Sequence, residues 1–124
     1  MAAKVLIVED DSSILIPLTF LLEQNGYEVA AAADGQEALA AVARFAPDLV
    51  LLDIMMPHLD GYAVCQAIRE NPEWGAIKIV LLSAKAGEMD VAKGMALGAD
   101  AFISKPFANA EVTATVKRLL TGPA

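Results

Sequence analysis

The chain has little cysteine, histidine or aromatic content, and each shortage excludes a class of structure. A single cysteine, Cys65, rules out an internal disulfide and favours a reducing compartment such as the cytoplasm. A single histidine, His58, argues against a histidine-based metal site or a phosphohistidine relay within the chain. Aromatic residues make up 6% of the sequence, so the core is predicted to consist mainly of Ala, Val, Leu and Ile.

Basic residues and long apolar runs are also scarce. Lys and Arg total 9 against 16 Asp and Glu, which gives a net charge of −7. Direct nucleic-acid binding is not expected, because such surfaces need clustered positive charge. No apolar run is long enough to span a bilayer, and the N-terminus lacks the basic start and apolar length of a signal peptide. We therefore expect a cytoplasmic protein that makes no membrane contact.

Short apolar segments alternate with helical patterns along the chain. The alternation predicts an α/β fold in a single domain, residues 1–124, with a parallel sheet covered by helices on both faces. Pro17 lies within the first helical pattern and is expected to cost a backbone hydrogen bond or to kink that helix. The predicted strands are 4–8, 27–32, 48–53, 77–82 and 100–104, and the predicted helices are 12–25, 34–45, 61–71, 88–97 and 109–120.

Polar residues gather at the carboxyl ends of the predicted strands. In a sheet of this kind the ligand crevice lies outside those ends. Any one of these acids alone would be an ordinary solvated residue, but several converging carboxylates opposite a lysine and a serine indicate a functional site. The residues at or after the strand ends are Glu9, Asp10, Asp11, Asp53, Ser83, Ser104 and Lys105.

This set of side chains suits phosphoryl chemistry. Carboxylates in one small pocket repel each other, and a hard divalent cation would neutralise them; open water positions favour Mg²⁺ over Ca²⁺. Beside such an ion, Asp53 is expected to act as a nucleophile towards phosphorus and to form an acyl phosphate. Lys105 would supply an ammonium and Ser83 a hydroxyl to the phosphoryl oxygens. The Met-Met-Pro segment 55–57 would turn the chain so that a backbone carbonyl faces the metal.

Four ordered segments carry a resemblance to a known family. VLIVEDD (5–11), DLVLLDIMMPHLDG (48–61), IVLLSA (79–84) and GADAFISKPF (98–107) together resemble the receiver domain of two-component response regulators. The resemblance covers nearly the whole chain. It implies a flavodoxin-like (βα)5 fold, a doubly wound five-stranded parallel sheet with strand order 2-1-3-4-5.

The resemblance also implies a function and a metal site. Asp53 would accept a phosphoryl group from a histidine kinase or a phosphotransfer protein in a Mg²⁺-dependent reaction, followed by slow autodephosphorylation. Asp10 would bind Mg²⁺ directly and Glu9 through water, while Asp53 and the backbone carbonyl of Met55 would complete the protein ligands. Such a chain is a signalling switch that acts by protein contact, rather than an enzyme proper.

The remaining positions match the switching parts of the family. Ser83 matches the switch hydroxyl, which is more usually Thr. Phe102 matches the switch aromatic, and it lacks the hydroxyl that a Tyr would have. Lys105 matches the lysine before a proline, here Pro106, that is usually cis. The face built from the fourth helix, fifth strand and fifth helix would change shape and contact a downstream target or output domain. Four residues in this region could pair across a homodimer or could equally form a solvated face: Lys93, Asp100, Lys117 and Arg118. The loop positions that match are Pro57, Asp60 and Gly61.

Two rival functions and two details stay open at this stage. A phosphatase that uses an aspartyl phosphate usually has a second Asp two residues after the nucleophile, where this chain has Met55. A pseudo-receiver that is never phosphorylated would lack a site residue, and none is missing. The fourth helix, weak by propensity, is the expected moving part; the alternative is that Gly94 simply permits close packing. A stand-alone regulator is favoured, but the C-terminal segment also suits a receiver that leads into an output domain.

Overall fold

The computed structural model describes residues 2–56, 59–84 and 87–121, and β-strands alternate with α-helices in these ranges. Each predicted element is present, and its bounds differ from the prediction by one residue at most at either end. The strands β1 to β5 are Lys4–Val8, Glu28–Ala32, Leu49–Asp53, Lys78–Ser83 and Ala101–Ser104. The helices α1 to α5 are Ser12–Gln24, Gly35–Phe45, Gly61–Glu70, Glu88–Ala96 and Asn109–Thr121, and a short 3-10 helix covers Pro72–Trp74.

The strands form one parallel sheet in the order β2-β1-β3-β4-β5, as the resemblance implies. The chain reverses its direction of travel across the sheet at β1, which therefore lies beside β3 with Val8 paired to Leu52. On its other side β3 pairs with β4, and Asp53 lies opposite Leu82. The carboxyl ends of β1, β3 and β4 consequently meet at one edge of the sheet, at the topological switch point where α/β proteins bind ligands.

Alternate residues of the strands pack against opposite layers of helices, because a strand directs successive side chains to opposite faces. Burial on both faces explains why the strands are apolar throughout. One core cluster, with α2 and α3, takes Leu6, Val8, Val50, Leu52, Ile79 and Leu81 from the sheet. The other, with α1 and α5, takes Val5, Ile7, Leu49, Leu51, Val80 and Leu82.

Cys65 of α3 belongs to the first core cluster and is fully buried. Its thiol donates a long hydrogen bond, 3.6 Å, to the carbonyl of Leu97. Burial raises the pKa of the thiol, since the thiolate would lose its hydration there. The residue is therefore a small apolar core side chain with low reactivity.

Aspartate caps start three of the helices. The carboxylates of Asp11, Asp34 and Asp60 accept hydrogen bonds from backbone N–H groups of α1, α2 and α3, at 2.9, 2.8 and 2.9 Å. Such caps satisfy donors that the first helical turn leaves unpaired. The side chain of Asp11 thus caps α1, whereas its backbone N–H donates to the carboxylate of Glu9 at 3.3 Å.

Pro17 does not interrupt α1, which runs as one helix from Ser12 to Gln24. Proline has no N–H, so the carbonyl of Ser13 lacks its usual partner one turn later. Ser13 is exposed, and water can hydrogen-bond to that carbonyl in place of the missing donor. The expected loss of one hydrogen bond is therefore tolerated at the helix surface.

Gly94 brings α4 close to the sheet. A Cβ at this position would lie 2.5 Å from the Cδ1 atom of Leu81 and 3.6 Å from the ring of Phe102. The close-packing explanation of this glycine is thus supported. Within the described residues, no helix combines the length and the apolarity that crossing a membrane requires.

Gly61 fixes the start of α3 against the end of β3. Its N–H donates to the carbonyl of Ile54 at 3.0 Å. A Cβ at Gly61 would lie 2.5 Å from the carbonyl oxygen of Asp53 and 2.7 Å from the Cα of Ile54. Since both atoms belong to the backbone, neither can move aside without displacing the strand end that carries Asp53.

The substitution Gly61→Ala is expected to lower the free energy of unfolding by about 1–3 kcal/mol, the usual cost of overpacking. Gly75→Ala is the matched control, because its Cβ would meet only the Pro72 carbonyl at 3.6 Å and its φ of −63° suits alanine. The control should change stability by less than about 0.5 kcal/mol. Urea unfolding of both variants measures the difference, and equal stabilities would contradict the close approach.

Candidate functional site

Three carboxylates converge where β1 and β3 end side by side. Glu9 and Asp10 follow β1, and Asp53 is the last residue of β3. One carboxylate oxygen from each lies within 4.8 Å of the other two. Glu9 and Asp53 are buried, 1% and 2% exposed, while Asp10 is open to solvent. The convergence predicted from the strand ends is therefore present for these three acids.

Lys105 extends from the end of β5 to the two buried acids. Its ammonium lies 2.7 Å from Glu9 Oε1 and 3.2 Å from Asp53 Oδ1. The backbone N–H of Lys105 donates to the carbonyl of Ser83 at 2.8 Å, which ties this turn to the end of β4. The peptide bond between Lys105 and Pro106 is cis, as the resemblance implies.

Burial and the ion pair set the protonation of this group. Burial raises the pKa of Glu9 to about 7, helped by the nearby Asp53 charge and opposed by the hydrogen bond from Lys105. Burial acts to lower the pKa of Lys105, but the hydrogen bond to Glu9 and the charge of Asp53 outweigh it, so that pKa is raised. Lys105 therefore stays an ammonium at neutral pH, whereas Glu9 gains and loses its proton in that range.

The end of β3 presents Asp53 on a short, well-bonded segment. The N–H of Ile54 donates to the carbonyl of Leu82 at 3.0 Å, which extends the pairing with β4 past the strand end. The N–H of Met55 makes a long contact, 3.4 Å, with Asp53 Oδ1. The Met55 side chain is 59% exposed, so it does not pack in the loop, whereas Met56 packs against the core. The metal-binding role of the Met55 carbonyl stays a prediction.

The two candidate switch residues lie on neighbouring strands. Ser83 ends β4, is 1% exposed, and pairs with Ser104 of β5. Phe102 of β5 is half-buried, packs against the first core cluster and lies close to Gly94. Ser83 thus lies at the end of the sheet that carries the acids, and Phe102 lies near α4.

The loop positions divide into described and undescribed residues. Asp60 caps α3, and Gly61 makes the close approach to β3 described above. Pro57 and His58 lie outside the described residues, as do residues 85 and 86 after β4. The match expected for Pro57 therefore stays a prediction.

Asp100 has a different role from the one considered for it. From the sequence, it could pair across a homodimer through the α4–β5–α5 face or be part of a solvated face. Instead, its Oδ2 accepts from Arg69 of α3 at 2.8 Å and from the backbone N–H of Ile79 at 2.8 Å. Because both bonds lie within the chain, Asp100 gives no support to a dimer contact through this face.

Sequence reasoning missed part of the site wall. A cavity of about 510 Å³ beside the acids is lined by Asp10 and Ser83, but also by Tyr62 of α3 and by Asp90 and Lys93 of α4. These three residues follow no strand end, so the rule that found the acids could not find them. Their contribution depends on how two helices lie against each other, which no local pattern records.

Comparison with known proteins agrees with this geometry. A family model described as the response regulator receiver domain matches residues 5–117. The alkaline phosphatase synthesis transcriptional regulatory protein PhoP of Bacillus subtilis is 43% identical over 120 residues, which are 97% of this chain and 49% of that protein. The chain thus spans about half the length of this curated relative.

Solved structures agree with the same family. The signal receiver domain of a signal transduction histidine kinase from Syntrophus aciditrophicus is 36% identical, with a TM-score of 0.90 over 98% of this chain and 92% of that one. The Vibrio cholerae chemotaxis protein CheY4 is 33% identical, with a TM-score of 0.91 over 96% of this chain and 99% of that one.

The raised pKa of Glu9 predicts an unusual pH dependence of stability without divalent cations. A carboxyl whose folded pKa is about 7, against 4.5 unperturbed, stabilises the fold at low pH and loses that contribution as pH rises through 7. Glu9→Gln should therefore gain about 2–3 kcal/mol relative to wild type between pH 5 and pH 8. Urea unfolding at both pH values, with Glu28→Gln as an exposed control, measures this. A Glu9→Gln difference that is the same at both pH values would contradict it.

Proposed function

Because the chain belongs to the family of response regulator receiver domains of two-component signalling, we propose that Asp53 accepts a phosphoryl group from phosphohistidine. The observation that carries this proposal is the position of Asp53. Its carboxylate is buried at a strand end and lies 3.2 Å from the ammonium of Lys105, with two further acids beside it. A nucleophile, a fixed cation and a set of oxygen ligands are thus assembled at one point.

The proposed reaction is a transfer between two high-energy bonds. A carboxylate oxygen of Asp53 attacks phosphorus, and the phosphorus–nitrogen bond of the donor breaks, leaving its electron pair on the imidazole. The product is an acyl phosphate on Asp53. The ammonium of Lys105 stabilises negative charge on the transferring oxygens, and it is held in place by Glu9 at 2.7 Å. Attack of water on the phosphorus of the acyl phosphate returns free phosphate and Asp53, which is the proposed autodephosphorylation.

The acidic cluster has the chemistry of a magnesium site. Its donors are carboxylate oxygens, which select hard cations, and the exposure of Asp10 leaves room for water ligands. Asp10 and Asp53 would bind Mg²⁺ directly, with Glu9 acting through water and the Met55 carbonyl completing the set. When bound, the metal supplies charge stabilisation for the phosphoryl oxygens. Asp53 would still be the nucleophile, and Lys105 would hold the transferring phosphoryl oxygens in place.

Phosphorylation would then act on the switch residues. An aspartyl phosphate carries about two negative charges where the carboxylate carried one, and it brings three acceptor oxygens to a site that holds two buried acids. We propose that the Ser83 hydroxyl donates to one of these oxygens and that Phe102 turns inward. The face formed by α4, β5 and α5 would change shape and signal by protein contact.

The rival functions receive less support. A pseudo-receiver would lack part of the phosphoacceptor site, whereas Asp53, Lys105 and the two further acids lie together. An aspartyl-phosphate phosphatase is disfavoured because Met55 occupies the position of its second Asp. Receiver domains are generally signalling switches rather than enzymes acting on separate substrates.

Incubation with Mg²⁺ and a small acyl phosphate should add one phosphoryl group to the wild-type chain, seen by intact mass. Asp53→Ala should show no adduct, and removal of Mg²⁺ with a chelator should slow labelling by at least about a hundredfold, because the charge stabilisation is lost. Asp48→Ala, at an exposed acid near the opposite ends of the strands, is the control and should label normally. An adduct that persists in Asp53→Ala would move the acceptor elsewhere. No adduct in the wild type together with no Mg²⁺ binding would favour the pseudo-receiver.

An exposed apolar surface lies beside Lys105. A histidine kinase or phosphotransfer protein must bring its imidazole to Asp53, so it needs to dock next to the site. Ile16 and Phe20, one turn apart on α1, are 66% and 61% exposed. An apolar cavity of about 390 Å³ between α1 and the start of α5 reaches Lys105 and is lined by Ile14, Pro17, Leu18 and Phe107. We propose that the donor protein docks here.

The double substitution of Ile16→Ser with Phe20→Ser should leave labelling by the small acyl phosphate unchanged. Transfer from an autophosphorylated histidine kinase that labels the wild type should fall by about tenfold or more, because exposed apolar anchors dominate such contacts. Met89→Ser on α4, where the methionine is 87% exposed, is the matched control and should not slow transfer. Equal transfer to all three proteins would exclude α1 as the docking face.

A further inference from the structure

The cavity beside the acids has a cation in its wall. The proposed reaction uses Asp10 and Ser83 from the strand ends, but α4 contributes Asp90 and Lys93 to the same cavity. Lys93 is the basic side chain among the described residues that line it. A lysine has a charged ammonium on a long flexible stem, so in this wall it could interact with a phosphoryl group bound nearby.

The ammonium of Lys93 rests on an aromatic ring. It lies 4.4 Å from the centroid of the Tyr62 ring, a cation–π contact between α4 and α3. Carboxylates of Asp10, Asp60 and Asp90 line the same cavity. None of the ion pairs found within the described residues involves Lys93. The ring is thus where this cation resides when no phosphoryl group is bound.

Tyr62 in turn holds the start of α4. Its hydroxyl donates to the backbone carbonyl of Asp90, in the first turn of α4, at 3.1 Å. Burial raises the pKa of Tyr62, which keeps the hydroxyl protonated and able to donate. Its ring also lies 3.7 Å from where a Cβ of Gly94 would be. Tyr62 therefore contacts α4 through the carbonyl of Asp90 and the ammonium of Lys93, and its ring lies near Gly94.

We propose that Lys93 senses the phosphoryl group: its ammonium leaves the Tyr62 ring for the phosphoryl oxygens, and this weakens the attachment of α4 to α3. The proposal rests on the proposed function, since it needs a phosphoryl group on Asp53. A phosphoryl group of about −1.5 to −2 charge attracts an ammonium more strongly than a ring quadrupole does. The hydrogen bond from Tyr62 to Asp90 remains, so α4 loosens without detaching. Lys93 is thus a positioning residue for the switch.

Hydrogen exchange of the α4 amides tests the proposal on four proteins, each with and without Mg²⁺ and the acyl phosphate. Lys93→Met keeps the apolar stem and removes the charge, and Lys117→Met makes the same change on exposed α5. Unphosphorylated Lys93→Met should exchange α4 about two- to fivefold faster than wild type, the effect of losing one exposed cation–π contact. Phosphorylation should then accelerate α4 exchange less in Lys93→Met than in wild type, and the two accelerations should differ by the same two- to fivefold factor. Lys117→Met should behave as wild type.

The fourth protein, Tyr62→Phe, separates the ring from the hydroxyl. It keeps the resting place of Lys93 but loses the bond to Asp90, so α4 should exchange faster while its response to phosphorylation stays that of wild type. Equal α4 exchange in unphosphorylated Lys93→Met and wild type, or an equal response of both to phosphorylation, would overturn the proposal. Intact mass of the same samples keeps the two proposals apart. A wild type without the adduct would fail the proposed function, and the sensing role of Lys93 with it.

Discussion

Repulsion among carboxylates at one edge of the sheet is the constraint around which the site is organised. The parallel sheet brings the ends of β1 and β3 side by side, and Glu9 and Asp53 are both buried there. Two buried acids without a partner would be costly, and the ammonium of Lys105 offsets that cost by contacting both. Because β4 lies between β3 and β5, only a long side chain from the end of β5 can reach them.

The neighbouring elements hold this charged group in a fixed geometry. The turn that carries Lys105 is bonded to β4 through the carbonyl of Ser83, and the segment after Asp53 is bonded to β4 through Leu82. The close approach of Gly61 fixes the other side of that segment. The strands cannot shift to relieve the repulsion, because both faces of the sheet are packed against helices. The pKa of Glu9 responds instead: burial and the neighbouring charge of Asp53 raise it to about 7.

The features that could be predicted are those that depend on residues close together in the sequence. Apolar runs, helical spacing and glycine or proline breaks located the elements within one residue, and the strand ends located Glu9, Asp10 and Asp53. The side chain of Asp11 caps α1, and so it does not share the role of Glu9 and Asp10, although the three acids are consecutive in sequence. The partner of Asp100 could not be predicted, because Arg69 is 31 residues away on α3. Contacts between helices, such as Lys93 over Tyr62, depend on tertiary packing that no local pattern encodes.

The burial of Cys65 makes the protein convenient for spectroscopic labelling. It is the single cysteine of the sequence, and its thiol is enclosed in the core with a raised pKa. Thiol reagents attack the thiolate, and they need access to it. A cysteine introduced at an exposed position would therefore react alone with a fluorophore or a spin label. The native residue can remain in place, so labelled samples keep an unaltered core around α3.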